Sequence, residues 1–441
     1  MLKRIKIRNY KSFFELDLEL KPLSVLFGPN SAGKSNFLDA LQLLSRMATK
    51  PTLKEAFDPP YRGTPLESLS FKENGIPDLL HQDSVLFSFE VDVEISDHVA
   101  KAVDKQIREM RTTKDPESSD EGHSIFRNTY VSRRYLRYRL EVEVTPRSGM
   151  LRVNDEYLAA LNTRGEPVSK PMPFLEKKGR RLHLRMEGQA HPTYHETHLD
   201  HTILSRSLYA PHYPHLVAMR QELSNWLLYY FEPRERMRAP NPVKEVRNIG
   251  QMGEDLGAFL NTLKAFDPKQ FNAIEKSVHQ IIPNISGIDV SVNNLGEVEL
   301  SLKEANHLVP ARIVSEGTLR ILGLLALGGA RETPALIGFE EPENGIHPRR
   351  IKLIAELLQS LARNGDTQLI ITTHSPLLPD LIPDESLFVC RKVKGKTIIE
   401  PFVKWGPLYR TNQISETLDA EEAPEQGSLV SERILRGDFD A

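Results

Sequence analysis

The feature that most constrains this chain is a glycine-containing stretch near its N-terminus, between two segments of different periodicity. The stretch reads Gly28-Pro29-Asn30-Ser31-Ala32-Gly33-Lys34-Ser35, which fits the pattern G-x-x-x-x-G-K-[ST]. Residues 23–27 form a short apolar run typical of a strand, and apolar residues recur at helical spacing between residues 36 and 44. Strand, glycine loop and helix, in that order, predict a phosphate-binding loop.

Each part of this loop has a chemical reason. Glycines let backbone N–H groups turn toward a phosphate, and the helix that starts near Gly33 offers its positive end. Lys34 can reach the β- and γ-phosphates, and the Ser35 hydroxyl can hold a magnesium ion. The sequence therefore predicts that residues Gly28 to Asn36 bind a nucleoside triphosphate such as ATP together with Mg²⁺.

Composition limits the class of protein. A chain of 441 residues with 39% hydrophobic content can form two or three packed domains. Its 57 Lys and Arg against 60 Asp and Glu give a net charge of -3, so any contact with DNA has to be local. The single cysteine, Cys390, excludes an internal disulfide and fits a reducing compartment. No apolar run reaches membrane-helix length and no signal peptide is visible, so we expect a cytoplasmic protein without membrane contact.

A second stretch, Val314 to Thr318, precedes a segment from Leu319 to Leu327 that is apolar almost all round. This pattern predicts a buried helix with Ser315 at its N-terminus. Ser315, Glu316 and Gly317 then form either a second anion-binding site or an ordinary helix cap, and the residues alone leave both interpretations open.

Two further apolar runs end in polar residues. Residues 335–339 lead into Glu340 and Glu341, and residues 369–373 lead into His374. The carboxyl ends of buried parallel strands face the ligand crevice of α/β sheets. There Glu340 could hold magnesium, Glu341 could accept a proton from an attacking water, and His374 could contact the γ-phosphate; a solvated turn is the alternative.

In this order the motifs resemble the ABC-type ATPase heads of the RecF, structural-maintenance-of-chromosomes and overcoming-lysogenization-defect families. The stretch Ile7 to Phe13 is also similar to that group, and Glu340 to Pro348 is most similar to the third family. The resemblance implies an α/β P-loop NTPase fold, an ABC-ATPase head with a mixed β-sheet and flanking helices. It also implies that Ser315 to Thr318 is the signature motif acting across a dimer, with Glu341 as general base and His374 as switch histidine. Residues 342–347 would be the D-loop.

We predict four parts from the texture of the chain: an ATPase lobe in two segments (1–96 and 233–400), an inserted α+β region (97–232) and a polar tail (401–441). Within the insertion we expect a charged linker or mobile loop over 97–128, strands over 131–145, 150–158 and 181–187, and a helix from Leu216 to Phe231. Outside the insertion we expect a β-hairpin within residues 3–27 that leads into the loop strand, helices over 253–266 and 269–282, and a hairpin around residues 293–296. Seven histidines lie between His183 and His215, but their spacing matches no zinc signature. We expect a polar surface loop there rather than a metal site.

Two functions fit this sequence. The first is a magnesium-dependent ATPase whose ATP-bound heads form a homodimer or higher oligomer, in DNA repair, recombination or defence against phage. The second is a nucleotide-gated sensor or scaffold that holds and releases a separate effector, such as a nuclease. The residues after His374 are too few for the nuclease domain of the third family, so we expect none here. The signature reads Ser-Glu-Gly-Thr rather than the Ser-Gly-Gly-Gln of transporters, which argues against a transporter subunit.

Two questions stay open at this level. Clusters of basic residues would serve DNA or merely solvate a surface; they are Arg133-Arg134, Lys177-Lys178 with Arg180-Arg181, and Arg234, Arg236 and Arg238. The glutamine that senses magnesium in such heads cannot be placed, because Gln82, Gln189 and Gln221 all qualify.

Overall fold

The computed structural model describes residues 1–71, 75–112, 129–187, 189, 191–329, 334–363, 367–405 and 429–439. Contacts divide the chain into two units. The first comprises Met1–Lys21, Ser35–Trp226 and Lys392–Ile399, and the second comprises Pro22–Lys34, Leu227–Arg391 and Glu400–Ala441. The four-part division expected from sequence texture stays a prediction.

The strands and helices are numbered in chain order. The strands are β1 Leu2–Tyr10, β2 Phe13–Glu19, β3 Leu23–Phe27, β4 Val85–Glu94, β5 Tyr135–Thr145, β6 Met150–Ala160, β7 Leu175–Lys178, β8 Arg181–Leu184, β9 Thr193–Glu196, β10 Trp226–Tyr229, β11 Asn241–Pro242, β12 Ile285–Val292, β13 Glu297–Glu304, β14 His307–Pro310, β15 Leu336–Glu340, β16 Gln368–Thr373, β17 Leu387–Val393 and β18 Lys396–Pro401. The helices are α1 Lys34–Thr49, α2 Ile76–Leu80, α3 Asp97–Thr112, α4 Pro214–Ser224, α5 Leu256–Phe266, α6 Pro268–Ile281, α7 Glu316–Leu327, α8 Ile351–Arg363 and α9 Val430–Leu435.

The first unit is built on an antiparallel sheet with strand order β2-β1-β4-β5-β6-β7-β8-β9. Its strands alternate because successive side chains of a strand point to opposite faces. In β4, Phe87, Phe89 and Val91 are buried, and Phe89 lies opposite Leu140 of β5. The strands predicted before residue 27, over 131–145 and over 150–158 are confirmed.

Part of the predicted charged linker is a helix. Helix α3 spans Asp97–Thr112, and its buried residues Val99, Val103 and Ile107 recur every four positions. These three side chains give one apolar stripe that a charged composition hides, so the prediction of a linker was wrong for residues 97–112. Residues 113–128, where we expect a mobile loop, lie outside the described residues.

The helix predicted from Leu216 to Phe231 was also wrong at its C-terminal end. Helix α4 ends at Ser224, and Trp226–Tyr229 forms β10 at one edge of a six-stranded sheet. The apolar spacing of these residues suits a helix, but pairing with a neighbouring strand outweighs that local preference.

The second unit contains the strands that the sequence predicts around the phosphate loop. The six-stranded sheet has the order β10-β15-β16-β3-β17-β18, and β15, β16, β3 and β17 pair in parallel. A smaller antiparallel sheet has the order β11-β13-β12, with β14 also on β13. This is the predicted α/β P-loop NTPase fold, with a mixed arrangement of strands and flanking helices.

Helix α7 and its neighbours form the core of this unit. Ser315 caps α7, and Leu319, Leu322 and Leu324 are buried in one apolar cluster with residues of α5, α6 and α8. The predictions of a buried helix after Ser315, of two helices between residues 253 and 282, and of a hairpin around residues 293–296 are confirmed.

The predicted polar tail packs in part against this core. Phe402, Val430 and Phe439 are buried in the same cluster, and the Phe27 ring contacts both phenylalanine rings. Three apolar side chains spread over 38 positions of polar sequence gave no periodic signal. Residues 406–428 lie outside the described part of the chain. No helix among the described residues is both long and apolar enough for a membrane span.

Candidate active site

The predicted site residues follow parallel strands at one edge of the six-stranded sheet. Parallel pairing places the C-terminal ends of β15, β16 and β3 side by side. Glu341, His374 and Gly28 each come directly after one of these strands. The loops that follow parallel strands converge at such an edge, and α/β proteins bind their ligands there.

The phosphate loop has a backbone that only certain residues can adopt. Gly28, Ser31 and Gly33 have positive φ angles of 146°, 63° and 102°. A Cβ atom on Gly28 would lie 1.9 Å from the carbonyl oxygen of Cys390, so glycine is required there. The Cys390 Sγ–H donates to the carbonyl oxygen of Ala32 (3.4 Å), and burial raises the pKa of this thiol to about 12. Cys390 is thus a structural support of the loop.

Lys34 is almost completely buried, with 3% of its surface exposed. Its ammonium group donates to the carbonyl oxygens of Gly28 (2.7 Å) and Pro29 (2.9 Å), and it lies 3.3 Å from Nδ1 of His374. Burial lowers the pKa of Lys34, while nearby acids, Glu341 among them, act in the opposite direction. The loop therefore holds one positive charge at its centre.

His374 connects this lysine to an acid. Its Nε2 lies 2.9 Å from Oε1 of Glu341, and its Nδ1 faces the Lys34 ammonium group. Burial lowers the pKa of His374, as does the positive charge of Lys34. A neutral imidazole with its proton on Nε2 can accept from Lys34 and donate to Glu341 at the same time, so we assign this tautomer.

Glu341 is held in a turn that is uncommon for a residue with a side chain. Its φ angle is 51°, and its backbone N–H donates to the carbonyl oxygen of Thr372 (2.9 Å). A left-handed backbone at a non-glycine residue costs on the order of 1–3 kcal/mol and persists where surrounding contacts enforce it. The side chain keeps 28% of its surface exposed, so water can reach its carboxylate. Glu340, the last residue of β15, is half-buried.

These residues fit a nucleotide and a metal ion. A loop with several positive-φ residues can form the concave backbone that binds anions, and Lys34 adds the charge that a triphosphate needs. A carboxylate oxygen such as that of Glu340 is the type of ligand that magnesium prefers. The assignments of Ser35 and Glu340 to magnesium stay predictions. The assignment of Asn36 to nucleotide binding also stays a prediction; its Nδ2 donates to Ser12 Oγ (2.8 Å).

The predicted signature residues lie at the start of α7. Ser315 is exposed, its Oγ accepts from the backbone N–H of Thr318 (3.3 Å), and it donates to Thr318 Oγ1 (2.8 Å). A Cβ atom on Gly317 would lie 2.4 Å from the carbonyl oxygen of Gly345, so this helix end approaches the turn after Glu341 closely. Among the described residues, no hydrogen bond of Ser315, Glu316 or Gly317 reaches the phosphate loop.

Two arginines that the sequence shows only as a basic cluster support this helix end. Arg238 donates through Nη1 to the carbonyl oxygen of Arg312 (3.2 Å) and through Nη2 to that of Val314 (2.7 Å). Arg234 Nε lies 2.8 Å from Oε1 of Glu316. The spacing of the arginines does not indicate these contacts, because their partners are 74 to 82 positions away in the sequence.

Comparison with known proteins gives the family. A family model described as "AAA domain, putative AbiEii toxin, Type IV TA system" matches residues 121–380, which is more than half of the chain. The chain belongs to this AAA family. A second model, described as "AAA ATPase domain", matches residues 1–136 and includes the phosphate loop.

A curated relative of this AAA chain agrees with the resemblance to the overcoming-lysogenization-defect family. The OLD nuclease of Thermus scotoductus is 21% identical over 414 residues, which are 92% of this chain and 64% of that protein. The chain thus spans less than two thirds of this curated relative. Together the matches support the ATPase activity of an ABC-type head.

The chain also matches solved structures of SMC heads, each with a TM-score below 0.5. The SmcHead bound to the C-winged helix domain of ScpA has a TM-score of 0.49 at 11% identity, covering 92% of this chain and 99% of that one. The SMC head domain from Thermotoga maritima has a TM-score of 0.40 at 13% identity, with 91% and 98% covered. The Smc head of Pyrococcus furiosus, with an extended coiled coil and bound to the C-terminal domain of ScpA, has 0.45 at 11%, with 93% and 99% covered.

The basic clusters of this AAA chain are engaged with its own groups to a large extent. Arg134 pairs with Asp97, Lys178 Nζ lies 3.0 Å from Glu176 Oε1, and Lys177 donates to Asn154. Together with the contacts of Arg234 and Arg238, these pairs favour the interpretation of the clusters as surface and support structure. The glutamine that senses magnesium is still unassigned: Gln82 and Gln221 bond to Asp78 and Gln106.

The histidine-rich segment of the AAA chain is not a uniform surface loop. His215 is buried, stacks on Phe174 with ring centroids 4.5 Å apart, and donates through Nδ1 to Glu187 (2.7 Å). The prediction of a polar loop was therefore wrong for His215, because its ring fills an aromatic contact. In the described parts of the chain, no three His, Cys, Asp or Glu side chains are arranged for a metal ion.

Proposed function

We propose that this AAA-family chain is a magnesium-dependent ATPase in which ATP brings two copies together. The observation that carries the proposal is the contact series from Lys34 through His374 to Glu341 at the edge of three parallel strands. It joins the loop that would bind the phosphates to the acid that would activate water. Family membership supports ATPase activity in general, and the magnesium ion, the pairing and the acid's role are our proposal.

Each side chain of the series has a separate task. Glu341 takes the proton of the attacking water, for which an ionised and water-accessible carboxylate is needed. His374 stays neutral at physiological pH because burial and Lys34 lower its pKa, and its Nε2–H orients Glu341. Lys34 stabilises negative charge on the transferred phosphoryl group. Ser35 and Glu340 would hold Mg²⁺, which supplies further positive charge beside the phosphates.

The exposed N-terminus of α7 is our proposed contact for a second copy. A helix N-terminus favours anions, and an exposed Ser315 Oγ can add a hydrogen bond to a γ-phosphate bound by the partner. A role in DNA repair, recombination or antiviral defence in the cytoplasm follows the resemblance only. The alternative, a nucleotide-gated scaffold for a separate effector, uses the same site and differs by slow turnover.

Nucleotide binding is the first test of the proposal, because hydrolysis and pairing both depend on it. Isothermal titration of the whole chain with ATP and Mg²⁺ should give saturable binding that Lys34→Ala abolishes, since the loop then lacks its only described ammonium group. Lys50→Ala is the control, because this exposed lysine lies just after α1. Equal binding by wild type and Lys34→Ala would show that the loop is not the nucleotide site.

A further inference from the structure

A buried carboxyl group lies beside the proposed site without a role in the chemistry described so far. Glu343 follows Glu341 by two residues and exposes 7% of its surface. Its Oε1 accepts hydrogen bonds from the Thr373 hydroxyl and from the backbone N–H of Ser375 (3.3 Å). Its Oε2 is buried and meets no hydrogen-bond partner among the residues that the structure describes.

The two donors to Glu343 flank His374 in the chain. One carboxylate oxygen therefore holds both neighbours of the histidine that contacts Lys34 and Glu341. The Ser375 N–H also donates to Thr373 Oγ1 (3.0 Å), so the three groups form a closed set of hydrogen bonds. The backbone N–H of Glu341 donates to the carbonyl oxygen of Thr372, which belongs to the same segment.

We propose that Glu343 is a positioning residue that fixes the imidazole of His374 between Lys34 and Glu341. The proposal rests on the proposed ATPase function and adds to it the residue that sets the geometry. The two contacts of His374, at 3.3 Å and 2.9 Å, both lie within hydrogen-bond range and would both weaken if the backbone at residue 374 moved. A displacement of about 1 Å in a catalytic constellation can lower a rate by about 100-fold.

Glu343 is poorly placed to be the proton acceptor itself. An attacking water has to reach the acceptor oxygen, and Glu343 is buried whereas Glu341 keeps an exposed carboxylate. Burial also raises the pKa of Glu343 and so disfavours its ionised form. What the segment requires of residue 343 is an acceptor at Oε1, and an amide oxygen meets that requirement as well as a carboxylate does.

The experiment compares four variants. Glu343→Gln keeps the acceptor, Glu343→Ala removes it, and Thr373→Val removes one donor. Thr367→Val is the matched control, because Thr367 is a buried threonine just before β16 whose hydroxyl donates to the Pro334 carbonyl (2.8 Å). We expect kcat for ATP to fall by about 10- to 100-fold in Glu343→Ala and Thr373→Val, with KM changed by less than about 3-fold. Glu343→Gln and Thr367→Val should stay within about 3-fold of wild type in kcat.

A second readout does not depend on ATP hydrolysis. Nitrogen-15 NMR of the histidine rings, with the His374 signal assigned from His374→Gln, reports which ring nitrogen carries the proton. Wild type, Glu343→Gln and Thr367→Val should show the Nε2–H tautomer, and Glu343→Ala and Thr373→Val should lose this preference. If Glu343→Ala proves insoluble, the comparison of the two threonine variants decides.

Two results would overturn the proposal. One is an unchanged His374 tautomer and kcat in Glu343→Ala and Thr373→Val. The other is a Glu343→Gln variant as slow as Glu343→Ala, which would assign the charge of Glu343 to the chemistry. Absence of ATP hydrolysis by the wild type would contradict the proposed function instead, and the tautomer comparison would still test the positioning role.

Discussion

At the residue scale, the site is organised by an imidazole that meets a cation on one nitrogen and an acid on the other. The order Lys34, His374, Glu341 links the loop after β3 to the turn after β15 through the residue that follows β16. In this arrangement a change at any of the three affects the hydrogen bonds of its neighbours. Their effects on activity are therefore not expected to add.

Glu341→Gln should separate binding from hydrolysis. The amide keeps the size of the side chain and can still accept from His374 Nε2, but it cannot take a proton from water. We expect ATP binding to remain and hydrolysis to fall at least ~100-fold. Single-turnover hydrolysis with bound ATP measures this step. A rate equal to wild type would remove Glu341 as the base.

Gly28→Ala should abolish nucleotide binding without a change in charge. The added methyl group would lie 1.9 Å from the Cys390 carbonyl oxygen, so the loop or β17 has to move. Gly149→Ala is the control, since a Cβ there meets nothing within 4 Å although its φ is also positive. Titration with ATP measures the difference, and normal affinity in Gly28→Ala would show that the loop tolerates the shift.

The positions of the candidate site residues at the sheet edge could be predicted from the sequence, but their contacts could not. Glu340, Glu341 and His374 could be placed because each follows a short apolar run, and parallel strands bring such ends together. The burial of Glu343 could not be predicted, since residues 340–345 show no apolar periodicity and a turn can direct each side chain inward or outward. Cys390 was expected to be a buried structural thiol, but its contact with Ala32 could not be predicted, because the two residues are distant in sequence.

At the element scale, a helix or strand could be predicted where its local periodicity agrees with its packing in the fold. Helix α7 was predictable because it is apolar on every side and begins with a capping serine. Helix α3 was missed because charged residues surround its narrow apolar stripe, and β10 was missed because its residues also suit a helix. Sequence periodicity therefore predicted the elements that are buried on all sides or that alternate evenly. It failed where packing or strand pairing with other elements determines the secondary structure.

The conformation of the segment just before α7 should depend on Arg238. Its guanidinium group holds two carbonyl oxygens just before Ser315, so Arg238→Ala should loosen the segment from Arg312 to Ser315. We expect faster hydrogen exchange in residues 312–318 and a loss of ATP-dependent pairing, with ATP binding by single copies unchanged. Arg236→Ala is the control, because Arg236 is exposed. Identical exchange in the two variants would show that Arg238 does not support the helix end.

The first unit should lose stability as the pH rises through a defined range. Glu156 is fully buried in β6 and accepts from Ile203 N–H (2.6 Å), Leu204 N–H (3.1 Å) and the Tyr138 hydroxyl (2.9 Å). Burial raises the pKa of Glu156 from 4.5 to about 7. Between these values the folded chain keeps a proton that the unfolded chain has released, so the free energy of unfolding falls as pH rises, by roughly 3 kcal/mol in all.

The side chain of residue 156 cannot titrate in Glu156→Gln, so this variant should lack that pH dependence of the free energy of unfolding. Urea unfolding gives the free energy of unfolding of wild type and variant at pH 5 and at pH 8. The difference between the two proteins is then compared at the two pH values, so the contributions of the other titrating groups cancel. The stability of wild type relative to Glu156→Gln should be higher at pH 5 than at pH 8. The same relative stability at both pH values would show that Glu156 is ionised in the fold at pH 5.

At the scale of the whole molecule, the proposed ATPase works as two copies. One chain provides one phosphate loop and one exposed N-terminus of α7, and we propose that the two meet across a pair. ATP binding and association are then linked, so each strengthens the other. Glu341→Gln with ATP and Mg²⁺ should show an increase in mass by light scattering. ADP, which lacks the γ-phosphate, should not produce this increase, and equal mass with both nucleotides would contradict the linkage.

The most direct test is the rate of ATP hydrolysis per chain, measured over a range of protein concentrations in wild type, Ser315→Asn and Ser315→Asp. Asn and Asp both cap a helix well, but only Asp places a negative charge where a partner's γ-phosphate would lie. We predict that the rate per chain rises with concentration to a plateau in wild type and Ser315→Asn, and stays low at every concentration in Ser315→Asp. No hydrolysis by the wild type, or equal rates in Ser315→Asp and Ser315→Asn at all concentrations, would contradict this account.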